Sequence, residues 1–217
     1  MPEYIDESLL PKNRIEALCD GIFAIAMTLM ILDLKTPENI PYNLENVQLP
    51  VTLMNIIPDV EAYAISFIVL SIFWLRHQMQ FRYLKFANRK IVTLNIFFLM
   101  LIGFVPFSVG LVMRYNDIQL PTLIYIANLL MISLILTIQG WYISRNPKIR
   151  FEEIDPDIIK KYFIFSIVPL FIFSVSIIVS FFNLRLAFLL IYLDPLFYSV
   201  YRIVKKRTKS VKIKLKK

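Results

Sequence analysis

From Leu120 to Ser144 the chain contains no charged residue. A run that long and apolar matches what a bilayer demands, since about 30 Å of hydrocarbon needs roughly 20 apolar residues in helical form. The same kind of run recurs along the chain. Residues 15–35, 57–81, 91–113, 121–144, 162–182 and 184–204 read as six spans, the last two closed into a hairpin by a tight turn at Asn183–Arg185. Composition agrees, with 58% hydrophobic and 18% charged residues, against about half and about a quarter in soluble domains. The expected fold is an all-α membrane protein with six transmembrane helices.

Orientation follows from Lys and Arg, which stay on the cytoplasmic side. Lys12 and Arg14 precede the first span, and Arg76, Arg82, Lys85, Arg89 and Lys90 cluster around the second connection. Arg145, Lys148, Arg150, Lys160 and Lys161 mark the fourth connection, and the tail adds Lys205, Lys206 and Arg207. The segment Thr36–Ile56 has no Lys or Arg, and the third and fifth connections carry one each, Arg114 and Arg185. This alternation places both termini in the cytoplasm. It makes residues 1–204 one membrane domain and 205–217 a basic cytoplasmic tail beside anionic lipid. The net charge of +8 is therefore a membrane feature, and no nucleic-acid partner is expected. The first ten residues are acidic and polar, so a cleavable signal peptide is not expected either.

The first connection, with Pro37, Pro41 and Pro50, reads as an extended external loop. The second helix is expected to continue past the membrane through Arg82. Pro106, Pro169 and Pro195 fall within spans, where each frees a carbonyl and calls for a kink or a local polar partner. No Gly-rich phosphate loop, GxSxG, HExxH or SxxK occurs, and the serines have no matched base, so an enzyme is not expected. Only four glycines and no TVGYG-like run are present, which argues against a carbonyl-lined ion filter.

Charge within a span costs about 2.5–3.5 kcal/mol on the insertion scale, so each such residue needs a reason. Asp20 reads either as a structural acid satisfied by Arg14 or another basic group, or as a contact for a permeating ion. Gly21, Ile25, Thr28, Leu29 and Leu32 recur at spacings of three and four and share one helix face. Interhelical packing accounts for such a stripe as readily as function does, and Thr28 can bond back to the Ala24 carbonyl. His77, the single histidine, lies with Trp74 near the cytoplasmic end of the second span. Without a Cys/His cluster it is not a metal site; it reads as a buried hydrogen-bonding group meeting Arg14 or Asp20, with Asn95 at similar depth. Asp194 is either a partner for a neighbouring helix or a cavity residue.

The segment Arg14–Lys35, with Arg14, Asp20 and Gly21 opening an apolar run, resembles the first helix of the transmembrane protein 175 family of potassium channels. Leu18 and Cys19 stand where that family has Phe and Ser. Trp74 and His77, Asn95 and the Pro106–Phe107 pair add to the likeness, and six spans in all extend it over nearly the whole chain. The resemblance implies a homotetramer in the cell membrane in which the first helix of each subunit lines a central, potassium-permeable pore, with no cofactor. By position, Ile25, Leu29 and Leu32 would be constriction rings and Thr28 a polar ring. Arg14, Trp74, His77 and Asn95 would form a buried polar network near the cytoplasmic end. A secondary transporter or proton-coupled exchanger, using Asp20, His77 and Asp194 as carriers, is the alternative reading.

Overall fold

The computed structural model describes residues 11–34, 45–115, 117–151 and 156–199, and is helical throughout this range apart from short connections. In chain order the α-helices are α1 (Lys12–Leu29), α2 (Glu45–Phe81), α3 (Arg89–Arg114), α4 (Gln119–Arg145), α5 (Pro156–Ser180) and α6 (Leu184–Leu190). Among the described residues four helical stretches are long and apolar enough to cross a bilayer: Lys12–Asp33, Leu49–Phe81, Arg89–Arg114 and Gln119–Arg145. A shorter apolar stretch, Ser166–Ser180, lies in α5. The tail from residue 205 lies outside the described residues.

The helices pack as neighbours in sequence, α3 on α4, α4 on α5 and α5 on α6, while α2 touches α1, α3 and α4. Their shared core is aliphatic and aromatic, with Phe23, Phe73, Phe98, Ile102, Tyr125 and Phe173 almost fully buried. Helix α1 is peripheral. Among the described helices it packs on α2 and α3, through Ile15, Cys19, Phe23 and Ala26, whose spacing of four, four and three keeps them on one face. Side chains set two of the helix starts. Asn88 Oδ1 accepts from Ile91 N at 3.1 Å and Asn183 Oδ1 from Leu186 N at 2.9 Å, each satisfying one orphan amide of a first turn.

Three expectations change. Helix α2 begins at Glu45 and carries Pro50 and Pro58 inside it, so the second half of the expected external loop is helix. Its 37 residues span about 55 Å at 1.5 Å per residue, more than a bilayer core, and the excess lies at its N-terminal end. At the other end it stops at Phe81, without passing through Arg82. The last span is not one continuous helix. After α6 the chain turns at 191–192 and resumes as helix over 193–199. Pro195 explains the break, because it cannot bond to the Ile191 carbonyl and its ring crowds that group. The bonds Ile191 N to Phe188 O, Tyr192 N to Leu189 O and Asp194 N to Ile191 O are accordingly of the tighter three-residue kind.

The other two span prolines sit inside unbroken helices. Next to the carbonyl each one frees, α4 supplies a side-chain donor. Asn128 Nδ2 reaches Leu101 O at 3.2 Å, one residue before Ile102, and Thr137 Oγ1 reaches Ser166 O at 3.0 Å, one residue after Phe165. Both bonds fall one residue away from the freed carbonyls, and Thr137 Oγ1 also lies 2.8 Å from Ser133 O of its own helix.

Candidate functional site

One turn of α2, Trp74 to Gln78, reaches three different helical segments. At 100° per residue, Trp74 and Gln78 share the face toward α1, His77 lies beside them, and Arg76 points to the opposite side. Trp74 Nε1 and Gln78 Nε2 both donate to Asp20 Oδ1, each at 2.7 Å. The acid within α1 is thus held by two neutral donors of α2. Arg14, one of the expected partners of Asp20, is instead exposed in the first turn of α1 and takes no part in these bonds. Gln78 was missed, although its i+4 relation to Trp74 was legible.

His77 is fully buried between α1 and α3. Its Nε2 lies 2.8 Å from Asn95 Oδ1, and because a carboxamide oxygen only accepts, Nε2 carries the proton. The ring stacks on Phe98 at 5.3 Å and 8° and on Phe81 at 4.1 Å and 29°. Asn95 Nδ2 in turn donates to Cys19 Sγ at 3.2 Å, and the thiol lies 3.6 Å from Asn95 Oδ1. Cys19 therefore occupies the place a serine hydroxyl would take, with a weaker hydrogen-bonding group. The polar residues form two sets, Asp20–Trp74–Gln78 and Cys19–His77–Asn95, rather than a single network with Arg14.

Arg76 meets Asp194. Its Nη2 lies 2.7 Å from Asp194 Oδ1 and its Nη1 3.4 Å from Oδ2, with the two side chains 5% and 0% exposed. The guanidinium also lies over the Phe73 ring at 5.9 Å. Asp194 is thus a helix partner, and Arg76, which looked like a connection cation, is a buried one. No local pattern pairs residues 118 positions apart.

Among the described residues, no helix covers the outer face of α1. Gly21, Ile25, Thr28, Leu29 and Leu32 are all exposed, with Ile25 at 59% and Leu32 at 74%. The last turn tightens into a 3-10 helix over Met30–Asp33. Residues three apart eclipse in that geometry, which brings Leu32 nearly into line above Leu29. Thr28 Oγ1 donates to Ala24 O at 2.9 Å, with Ile25 O at 3.0 Å. Its proton is committed to the helix, so the hydroxyl offers only lone pairs outward. A groove of about 370 Å³ runs beside this face between α1 and α2, bounded by Asp20, Ala24, Met27, Ser71, Trp74 and Leu75. At the far end the Asp33 carboxylate lies over Gly110, where a β-carbon would come within 2.8 Å of Oδ2.

Residues 14–106 match the family model described as the endosomal/lysosomal potassium channel TMEM175. A protein of Streptomyces collinus, named a potassium channel, is 31% identical over 142 residues, covering 62% of this chain and 65% of that one. The endosomal/lysosomal proton channel TMEM175 of Gallus gallus is 34% identical over 119 residues, or 52% of this chain and 23% of the relative. The chain thus spans less than two thirds of either relative's length. The crystal structure of a lysosomal potassium-selective channel TMEM175 homologue from Chamaesiphon minutus superposes with a TM-score of 0.77 at 23% identity, over 87% of this chain and 96% of that one. The fold described above is the fold of that channel.

Proposed function

We propose that this chain, which belongs to the TMEM175 family through residues 14–106, is one subunit of a homotetrameric, potassium-permeable cation channel in the cell membrane. One observation carries the reading. Helix α1 buries one face on α2 and α3 and leaves the other, which holds Gly21 and Thr28 among large apolar residues, uncovered by the described residues. Polar groups at membrane depth belong in a bundle interior or a water-filled cavity rather than against lipid. A single α1 cannot enclose a pore, and four around a common axis can.

In this assembly Ile25, Leu29 and Leu32 form successive apolar rings that gate by dewetting, and the Thr28 oxygens face a cation between them. Asp33 concentrates cations at the outer mouth, and Arg14 stands at the cytoplasmic mouth. The two polar sets around Asp20 and His77 hold α1 in place so that the rings stay in register. Six spans, with both termini cytoplasmic and residues 205–217 as a basic tail, complete the topology. The catalytic role is none: the protein moves an ion and needs no cofactor to do so.

The experiment is potassium flux from liposomes containing the purified protein, the Ile25→Asn variant and the Leu29→Ala variant. Faster flux in the variants supports the apolar gate. Absence of flux from all three refutes the channel. The name of the Gallus gallus relative favours protons as a second permeant, and a pH-sensitive dye inside the same liposomes reads that alternative directly.

A further inference from the structure

The structure assigns a binding surface for anionic phospholipid headgroups to the end of the molecule where the α2–α3 and α4–α5 connections meet. Sorting of loops by charge requires only that Lys and Arg be numerous on one side. It does not require the two connections to be fastened together, yet here they are. Lys85 N and Phe86 N donate to Ile149 O at 2.8 and 3.3 Å, and Phe151 N donates to Tyr83 O at 3.2 Å. An antiparallel bridge pairs Leu84 with Arg150, and Asn88 Nδ2 donates to Tyr142 OH at 2.9 Å.

The fastening gathers exposed cations from both connections. Arg82, Lys85, Arg89 and Lys90 come from one, and Arg145 and Lys148 from the other. Several lie over aromatic rings, which restrains their heads. Lys85 Nζ is 5.4 Å from the Phe86 ring centre, Lys90 Nζ 5.8 Å from Tyr142 and Arg145 5.6 Å from Trp141. Lys12 Nζ, from the start of α1, lies 5.9 Å from Phe151. Phe86, Trp141 and Phe151 are themselves 40–47% exposed. Arg150 keeps Nε and Nη1 buried with no hydrogen-bond partner among the described residues, a fixed positive charge within the clasp. Exposed aromatic rings beside fixed cations match the headgroup layer, where rings reach the acyl boundary and ammonium groups reach phosphate. Lys12 opens α1, and Lys85 lies in the turn that follows α2, the helix that carries Asp20's partners Trp74 and Gln78.

The surface rests on the membrane reading and not on conduction, so its test uses no flux. Full-length protein is reconstituted in vesicles of phosphatidylcholine and phosphatidylglycerol, extracted in detergent, and its retained lipid counted by native mass spectrometry. Wild type is expected to retain phosphatidylglycerol in preference to phosphatidylcholine. Each Lys→Gln change among Lys85, Lys90 and Lys148 should lower that preference about fivefold, the equivalent of one cation's attraction to an anionic surface. The triple Lys→Arg variant should keep it, which guards against a loss caused by misfolding. Equal retention of the two lipids by wild type, or an unchanged preference in folded Gln variants, overturns the proposal. So does displacement of the lipid by glycerol phosphate at equal concentration, which would make free phosphate the ligand.

Discussion

Asn95 has the most demanding position of any single residue in the polar interior. Its oxygen takes the imidazole proton of His77 at 2.8 Å and its amide group faces Cys19 at 3.2 Å, all out of contact with water. Removing it leaves a buried N–H of His77 unpaired, and such a group costs about 1–3 kcal/mol. Asn95→Ala should therefore lower the thermal unfolding midpoint in detergent, and Asn95→Asp should lower it further by placing a carboxylate there. If Asn95→Ala unfolds with wild type, the His77 contact contributes nothing. That His77 and Asn95 would be polar and inside was legible from sequence, because such groups stand out in apolar runs, whereas Arg76 was masked by the basic connection beside it. Which groups would meet was not legible. Trp74 and Gln78 reach Asp20 across more than fifty residues, and Arg14 was the wrong partner because proximity in sequence is no guide to which helix face is covered.

At the scale of the element, the last helical segment is held by charge as well as by packing. Breaking a buried ion pair by removing one partner costs about 3–5 kcal/mol. Asp194→Ala and Arg76→Leu should each destabilise strongly, whereas the Arg76→Leu, Asp194→Leu double variant should recover much of the loss. Chemical unfolding of the three variants measures this, and a double variant as unstable as either single one would contradict it. The stripe on α1 was readable because its spacing is local to one helix. The N-terminal extension of α2 was hidden by the prolines of the first connection. The disruption near 191–192 was legible in Pro195, which calls for a kink, but its extent, a full break of the helix, was not.

For the whole molecule, the account turns on what covers the outer face of α1. Purified in detergent and cross-linked, the protein should run as a tetramer, and cysteines placed singly at Ile25 or Leu32 should cross-link between subunits. A monomer, or cross-linking from the exposed α3 residues Ile96 and Met100 but not from α1, would put α1 against lipid. The central claim is that this face conducts, and recording from planar bilayers with potassium as the cation tests it most directly. The account predicts unitary current steps from wild type, with Leu29→Ala raising the open time or the step size by widening an apolar ring. Folded tetramers of both proteins that carry no current, or that transport only as a saturating carrier without steps, would contradict it.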